Sequence, residues 1–213
     1  MKQKQKSRAA VRIPEDYAEF HEMGLASSNY RKGIVLSEFR WLTPKQIAAW
    51  DFFAPLAHRF VPFAATPGGD AYCFWWDSTN PVPKGRWAMP PEPTGIVLSP
   101  HDSDEAEIVC ENWAQFLAWA LLNEARSTDL PNQLGLKKTD VAPLLLEYMD
   151  RLGVYFLSPQ AKDTLRPLFT RAAKAGKPGK DERGVITAKQ YERAVEEIVQ
   201  FKRRGQTFVQ YAE

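Results

Sequence analysis

The stretch from Phe60 to Asp77 constrains the fold of this chain more than any other part of the sequence. Two runs of apolar and aromatic residues lie on either side of Pro67, Gly68, Gly69 and Asp70. Proline fixes a negative φ, the glycines permit a positive φ, and the aspartate carboxylate can accept hydrogen bonds from nearby backbone amides. The sequence therefore predicts a β-hairpin. Because no base, nucleophile or set of metal ligands adjoins the glycines, we expect Gly68, Gly69 and Asp70 to form a structural turn.

Length and composition indicate a globular protein. The chain has 213 residues, of which 44% are hydrophobic and 12% aromatic, enough for one domain or one domain with an appendage. The mean hydropathy is negative and no apolar run approaches the length of a membrane span, so we expect a soluble protein. The basic segment from Met1 to Arg8 is not followed by the apolar core of a secretory signal. The expected compartment is the cytoplasm.

The sequence offers few groups for catalysis. The three histidines, His21, His58 and His101, are far apart and match no metalloprotease, triad or kinase pattern. Cys73 and Cys110 lack the spacing of a zinc site, so we expect both to be small buried residues. We therefore predict no enzymatic activity, no metal and no cofactor. A hydrolase would require the fold to gather a histidine and carboxylates in one pocket.

The charges are balanced overall but unevenly distributed. The chain carries 28 basic and 26 acidic residues, a formal net charge of +2, which does not select nucleic acid as a partner. Residues 1–125 carry 12 basic and 15 acidic side chains, whereas residues 126–213 carry 16 and 11. This asymmetry is typical of two solvated surfaces, and the alternative is that the two parts bind different partners.

The apolar spacing, caps and breakers divide the chain into three parts. Residues 1–12 form a basic lead, residues 13–125 mix helices and strands, and residues 126–213 are mainly helical. Prolines exclude regular structure around residues 80–94, and an acidic loop is expected over residues 100–107. The predicted helices begin at or directly after Pro14, Thr43, Asn112, Thr139, Ser158 and Thr187, and the one that follows Thr43 is expected to end at Pro55 or slightly later. The predicted strands outside the hairpin are residues 34–36, 96–98 and 108–110.

Several of these segments, in this order, carry a family resemblance. They are Ile13–Tyr17, Phe60–Phe63, Gly68–Tyr72, Ile96–Leu98, Asp102–Glu107 and Glu111–Leu117. Together they resemble the SMI1/KNR4 (SUKH) superfamily over residues 13–125. The resemblance implies an α+β fold with a twisted, mainly antiparallel sheet flanked by helices. It also implies a role in binding, because bacterial members are mostly immunity proteins that block toxins, often nucleases, and fungal members are regulatory interaction proteins.

An acidic cluster is the candidate partner-binding surface. Asp102, Asp104, Glu105 and Glu107 repel one another, so a positively charged partner such as a basic toxin domain would stabilise them. The cluster lacks the glycine and the terminal glutamate of an EF-hand, so a metal site is not expected. Trp87, in the proline-rich segment, is the candidate aromatic anchor for the partner, and the alternative is that it folds back over the sheet.

These observations favour a non-enzymatic protein-binding module, in particular an immunity protein that neutralises a cognate bacterial toxin. Its partner would be a protein, with no membrane involved. The alternative is an intracellular regulatory or nucleic-acid-associated protein that acts through its N-terminal lysines and the basic stretch of residues 171–204. The cluster Lys202, Arg203 and Arg204 could contact phosphate, although positive charge also suits the C-terminus of a helix.

Overall fold

The fold was analysed in a computed structural model, which describes residues 13–50, 59–77, 92–103, 105–175, 184–198 and 208–210. The basic lead, Trp87, Asp104, His58 and the cluster at residues 202–204 lie outside the described residues. The predictions made for them stay predictions.

The fold is α+β, as predicted, and its centre is a six-stranded antiparallel sheet. Each strand pairs with the next one along the chain, in the order β1 to β6. The predicted hairpin is confirmed as β2 and β3. The strands are β1 (Arg40–Trp41), β2 (Phe60–Ala65), β3 (Ala71–Trp75), β4 (Gly95–Ser99), β5 (Glu105–Cys110) and β6 (Phe208–Gln210).

Seven helices are described, and most of them begin at the caps that the sequence indicates. Thr43 and Gln46 form a capping box, the Asn112 side chain accepts a hydrogen bond from the amide of Gln115, and Thr187 bonds reciprocally with Gln190. The helices are α1 (Glu15–Glu22), α2 (Pro44–Ala49), α3 (Trp113–Arg126), α4 (Asp129–Leu134), α5 (Val141–Phe156), α6 (Pro159–Ala175) and α7 (Ala188–Ile198). None of the helices in the described segments is long and apolar enough to cross a membrane.

The main core lies on the face of the sheet that α1 and α3 cover. Trp113 is at its centre, with its ring 5.5 Å from Tyr17 of α1 and 5.1 Å from Phe63 of β2. Helices α5, α6 and α7 pack against α3, and their residues belong to the same buried cluster. Trp76 belongs to this core, whereas Trp75, the last residue of β3, belongs to a second cluster on the opposite face. The core therefore extends across residue 126.

Three local predictions are wrong. The segment 34–36 is not a strand, and the chain joins the sheet later, at β1. Helix α2 ends at Ala49 rather than near Pro55, because Trp50 has extended backbone angles. Helix α4 and strand β6 are present although the sequence patterns did not indicate them.

The residues from Tyr30 to Glu38, here called the strap, have no helix or strand and are held mainly by side chains, with a backbone bond from the amide of Ile34 to the carbonyl oxygen of Leu25 (2.8 Å). Arg151 Nη1 donates to the carbonyl oxygens of Tyr30 (2.7 Å) and Gly33 (3.0 Å). The amide of Val35 donates to the hydroxyl of Tyr148 (3.2 Å). Buried backbone groups must be paired, and here α5 supplies the partners that a neighbouring strand would otherwise supply.

The two glycines of the hairpin turn provide a test of the fold. Gly69 has a φ of 100°, a conformation that strains an L side chain, whereas Gly68 is outside this region and has no atom within 3.7 Å of an added Cβ. We expect Gly69→Ala to lower the free energy of unfolding by about 1–2 kcal/mol. The matched Gly68→Ala variant should change it by less than about 0.5 kcal/mol. Urea denaturation of both variants measures the difference, and equal losses would contradict the assignment.

Candidate partner-binding surface

The β2–β3 turn and the segment after β4 lie side by side at one end of the sheet. Ala71, the first residue of β3, is directly opposite Ser99, the last residue of β4. Asp70 therefore reaches the segment after β4. Its Oδ1 accepts a hydrogen bond from the backbone amide of His101 (3.2 Å) and lies 2.9 Å from His101 Nδ1. The turn also has its own bonds, since the Thr66 hydroxyl accepts from the amide of Asp70.

Asp70 and His101 form a surface ion pair. The hydrogen bond from His101 is the main cause that lowers the pKa of Asp70 below its usual value. The same bond raises the pKa of His101, and the negative charge of Asp102 raises it further. The His101 side chain is 59% exposed, so solvent screens the pair and it adds little to stability. Its structural effect is to hold the two connections together.

The predicted acidic residues do not form one loop. Asp102 is exposed in a turn, as expected, but Glu105 and Glu107 belong to β5. The predicted loop over residues 100–107 is therefore too long, and the strand starts at Glu105 rather than at Ile108. The sheet supplies the physical reason, because β5 pairs on both sides and the β4 and β6 ladders extend it toward its N-terminus. Glu107 is exposed, whereas Glu105 is only partly exposed.

An irregularity in the β4–β5 pairing decides which face the glutamates share. Ile96 is opposite Cys110, but Val97 is opposite Ile108, so one extra residue of β5 is accommodated there. The shift places Glu107 opposite Leu98, on the face of the sheet that carries α3. Burial is the main cause that raises the pKa of Tyr72, and the charge of Glu107 is one of several that raise it further. The described acidic surface thus runs from the turn at Asp102 onto one face of β5.

The structure places the two described histidines, His21 and His101, in different surroundings. His21 Nε2 lies 2.9 Å from the carbonyl oxygen of Leu42, and burial lowers its pKa. His101 bonds to Asp70, and neither of these two histidines bonds to a serine, threonine or cysteine side chain of the described segments. Cys73 and Cys110 are buried and free, as predicted. Within the described ranges, no group of three or more histidine, cysteine or acidic side chains could hold a metal ion.

A second polar cluster surrounds Glu124, which is 1% exposed near the end of α3. Its carboxyl group accepts hydrogen bonds from the amide of Ser37 (2.5 Å) and the backbone of Glu38, and the Ser37 hydroxyl lies 3.0 Å from both carboxyl oxygens. Burial raises the pKa of Glu124 to about 7 despite these bonds, and the charge of Glu38 adds to the rise. Glu124 is thus a further anchor of the strap.

Glu38 connects the strap to α7. The Asn123 amide donates to Glu38 Oε2 (3.4 Å), and the hydroxyl of Tyr191 donates to Asn123 Oδ1 (2.7 Å). Although Glu38 is exposed as a whole residue, the packing around its carboxylate raises its pKa, and the charge of Asp129 adds to this. Arg126 stacks over the ring of Tyr191 at 4.6 Å. None of these residues is among the predicted site residues.

One sequence signal could have pointed to this cluster. Leu117, Leu121 and Glu124 are spaced by four and three residues, so the glutamate falls on the apolar stripe of α3. A charged residue on such a stripe is almost never fully buried without a partner. The partners could not be read from the sequence, because Ser37 is 87 residues away.

Known proteins do not assign the chain to a family. No protein-family model, curated protein or solved structure matches it. The resemblance to the SMI1/KNR4 superfamily therefore rests on the chain's own segments, and the function it implies is a proposal.

The Asp70–His101 pair predicts an ordered set of imidazole pKa values. We expect the pKa of His101 in the wild-type chain to lie above its ordinary value of 6.5. Asp70→Asn should lower it most, because Asp70 supplies the hydrogen bond, and Asp102→Asn should lower it less, because Asp102 acts only through its charge. Titration of the imidazole resonances by NMR measures all three. A larger effect of Asp102→Asn would show that the hydrogen bond is not the main cause.

Proposed function

We propose that this chain is a non-enzymatic protein-binding module of the immunity type, which neutralises a toxin by binding a basic surface of it. The observation that carries the proposal is the junction of the hairpin turn with the acidic segment. Through the bonds between Asp70 and His101, the carboxylates of Asp70, Asp102 and Glu107 are presented at one end of a paired sheet.

A rigid acidic surface suits the recognition of a basic protein. Glu107 is held by the sheet, and Asp102 follows His101, which is bonded to Asp70, so these charges can select the orientation of a basic partner and raise the association rate. Asp102 and Glu107 are both exposed and therefore accessible to a partner. Trp87 remains the proposed aromatic anchor. The proposed cytoplasmic location and the toxin-neutralising role rest on the sequence and on the family resemblance.

The described helices give less support to the nucleic-acid alternative. On α7, Lys189 and Arg193 alternate with glutamates, and Arg193 is paired with Glu197 (2.9 Å). Arg166 of α6 is paired with Asp150 of α5. A surface of mixed, paired charges lacks the single-sign stripe that binding to phosphates requires.

The protein encoded beside this chain is the partner to test, since a toxin and its antidote are usually encoded side by side. We expect its expression to arrest growth and co-expression of this chain to restore it. The double charge reversal of Asp102→Lys and Glu107→Lys should lower the association rate at least about tenfold, with a smaller change in the dissociation rate. Biolayer interferometry at low and high salt measures both rates.

A matched control separates this surface from net charge. Glu192→Lys and Glu196→Lys make the same charge change at exposed positions of α7. Equal slowing by both double variants would mean that the acidic surface is not the binding site. A neighbouring gene product that neither arrests growth nor binds would refute the immunity function.

The Asp70–His101 pair also predicts how binding depends on pH. Below its pKa, which is raised, His101 carries a positive charge among the carboxylates and repels a basic partner. Above that pKa the imidazole is neutral, so the association rate should rise as pH increases from about 6 to 8. The His101→Gln variant, measured over the same range, should show a flatter profile. An unchanged profile in this variant would place the titrating group elsewhere.

A further inference from the structure

We propose that Glu124 is a pH-sensitive latch for the strap: protonated, it holds the backbone at Ser37 and Glu38 against α3, and when it ionises this end of the strap loosens. The inference concerns a conformational device within the chain. It does not depend on the proposed function, and its test requires no partner.

The strap is suited to local opening because side chains, not a ladder, hold it in place. Three of its anchors come from the helices: Arg151 and Tyr148 on α5 and Glu124 on α3. Ile34 has two further bonds, from its amide to the carbonyl oxygen of Leu25 and from Trp41 Nε1 to its own carbonyl oxygen. An arginine remains charged at every relevant pH. Burial raises the pKa of Tyr148 to about 12, so its hydroxyl stays neutral. Glu124 is the anchor among these three whose charge changes near neutral pH.

The ionised form of Glu124 has no compensating cation in the described part of the chain. Arg126, two positions further along α3, stacks on Tyr191, and Arg151 bonds to the strap carbonyls and to Glu147. The nearest charged group on the strap is Glu38, which repels a carboxylate. An unpaired buried charge is costly, even when backbone amides bond to it.

The remaining groups around the latch are neutral or negative. They come from each element packed against it: Ser37 and Glu38 of the strap, Asn123 of α3, Ser127 directly after α3, Asp129 of α4, Tyr148 of α5 and Tyr191 of α7. The protonated carboxyl group fits this environment better than the ionised one. It can donate to the Ser37 hydroxyl, which lies 3.0 Å from both of its oxygens, while still accepting from the amide.

The direction of the effect follows from proton binding. In the closed strap the pKa of Glu124 is raised to about 7, and in an open strap hydration returns it toward its ordinary value of 4.5. Between these two values the closed form binds more protons than the open form. The closed form is therefore favoured fully below pH 4.5 and progressively less as pH rises through 7. Opening should become more frequent in mildly alkaline solution.

Hydrogen exchange of the full-length chain tests the latch. We expect the opening constant for the amides of Ser37 and Glu38, corrected for intrinsic exchange rates, to rise roughly tenfold or more between pH 5.5 and 8.5. In Glu124→Gln the amide oxygen can still accept from the backbone but cannot ionise, so the opening constant should change less than about twofold. The matched control, Glu196→Gln, removes an exposed glutamate of α7 and should keep the wild-type profile.

Two results would overturn the proposal. One is a Glu124→Gln variant that keeps the wild-type pH dependence. The other is an opening constant that rises with pH to the same extent at the amides of Cys73 in β3 and Val97 in β4, which would indicate unfolding of the whole domain. If Glu124→Gln does not fold, carbon-13 titration of the Glu124 carboxyl group in the wild-type chain tests the proposal. Ionisation near pH 4.5 would overturn it, because the carboxyl group would then carry the same charge throughout the neutral range.

Discussion

The main constraint on this structure is that the backbone of the strap is paired with side chains rather than with a strand. Its apolar residues Ile34 and Leu36 are buried in the main core, so its amides and carbonyls are also removed from water and need partners. Arg151, Tyr148 and Glu124 provide partners from two helices, and Trp41 and Leu25 provide those of Ile34. The position of the strap therefore depends on the packing of α5 against α3. Gly33 marks how closely the strap fits, since an added Cβ would meet the carbonyl oxygen of Ser27 at 2.2 Å.

This dependence links the two parts into which the sequence pattern divides the chain. Two of the side chains that anchor the strap, Arg151 and Tyr148, come from beyond residue 126. The amides of Val185 and Ile186 also donate to the carbonyl of Ala125 at the end of α3. The end of the sheet that carries the acidic surface depends instead on the successive pairing of strands β2, β3, β4 and β5 and on the bonds between Asp70 and His101. A change at the latch can therefore alter the strap without altering the proposed binding surface.

The sequence predicted what depends on nearby residues and missed what depends on distant ones. The hairpin turn, the Thr43–Gln46 capping box and the Asn112 cap each involve residues within a few positions of one another, so backbone sterics and local hydrogen bonds decide them. The apolar run at residues 34–36 indicated burial correctly but not the means of pairing, because Tyr148 and Glu124 lie far along the chain. Likewise, the face on which Glu107 lies follows from an irregular pairing with β4 that alternation within β5 cannot reveal.

The cost of burying Glu124 must be compared with the cost of the alternatives at the same site. A leucine would suit the apolar stripe of α3, but it would leave the amides of Ser37 and Glu38 without acceptors, at about 1–3 kcal/mol for each buried group. A glutamine would meet the amides without ever carrying a charge. The glutamate, unlike the glutamine, can ionise, and above neutral pH that ability destabilises the closed strap. Stability alone therefore favours glutamine at this position, and the distinctive physical property of the residue found there is its response to pH.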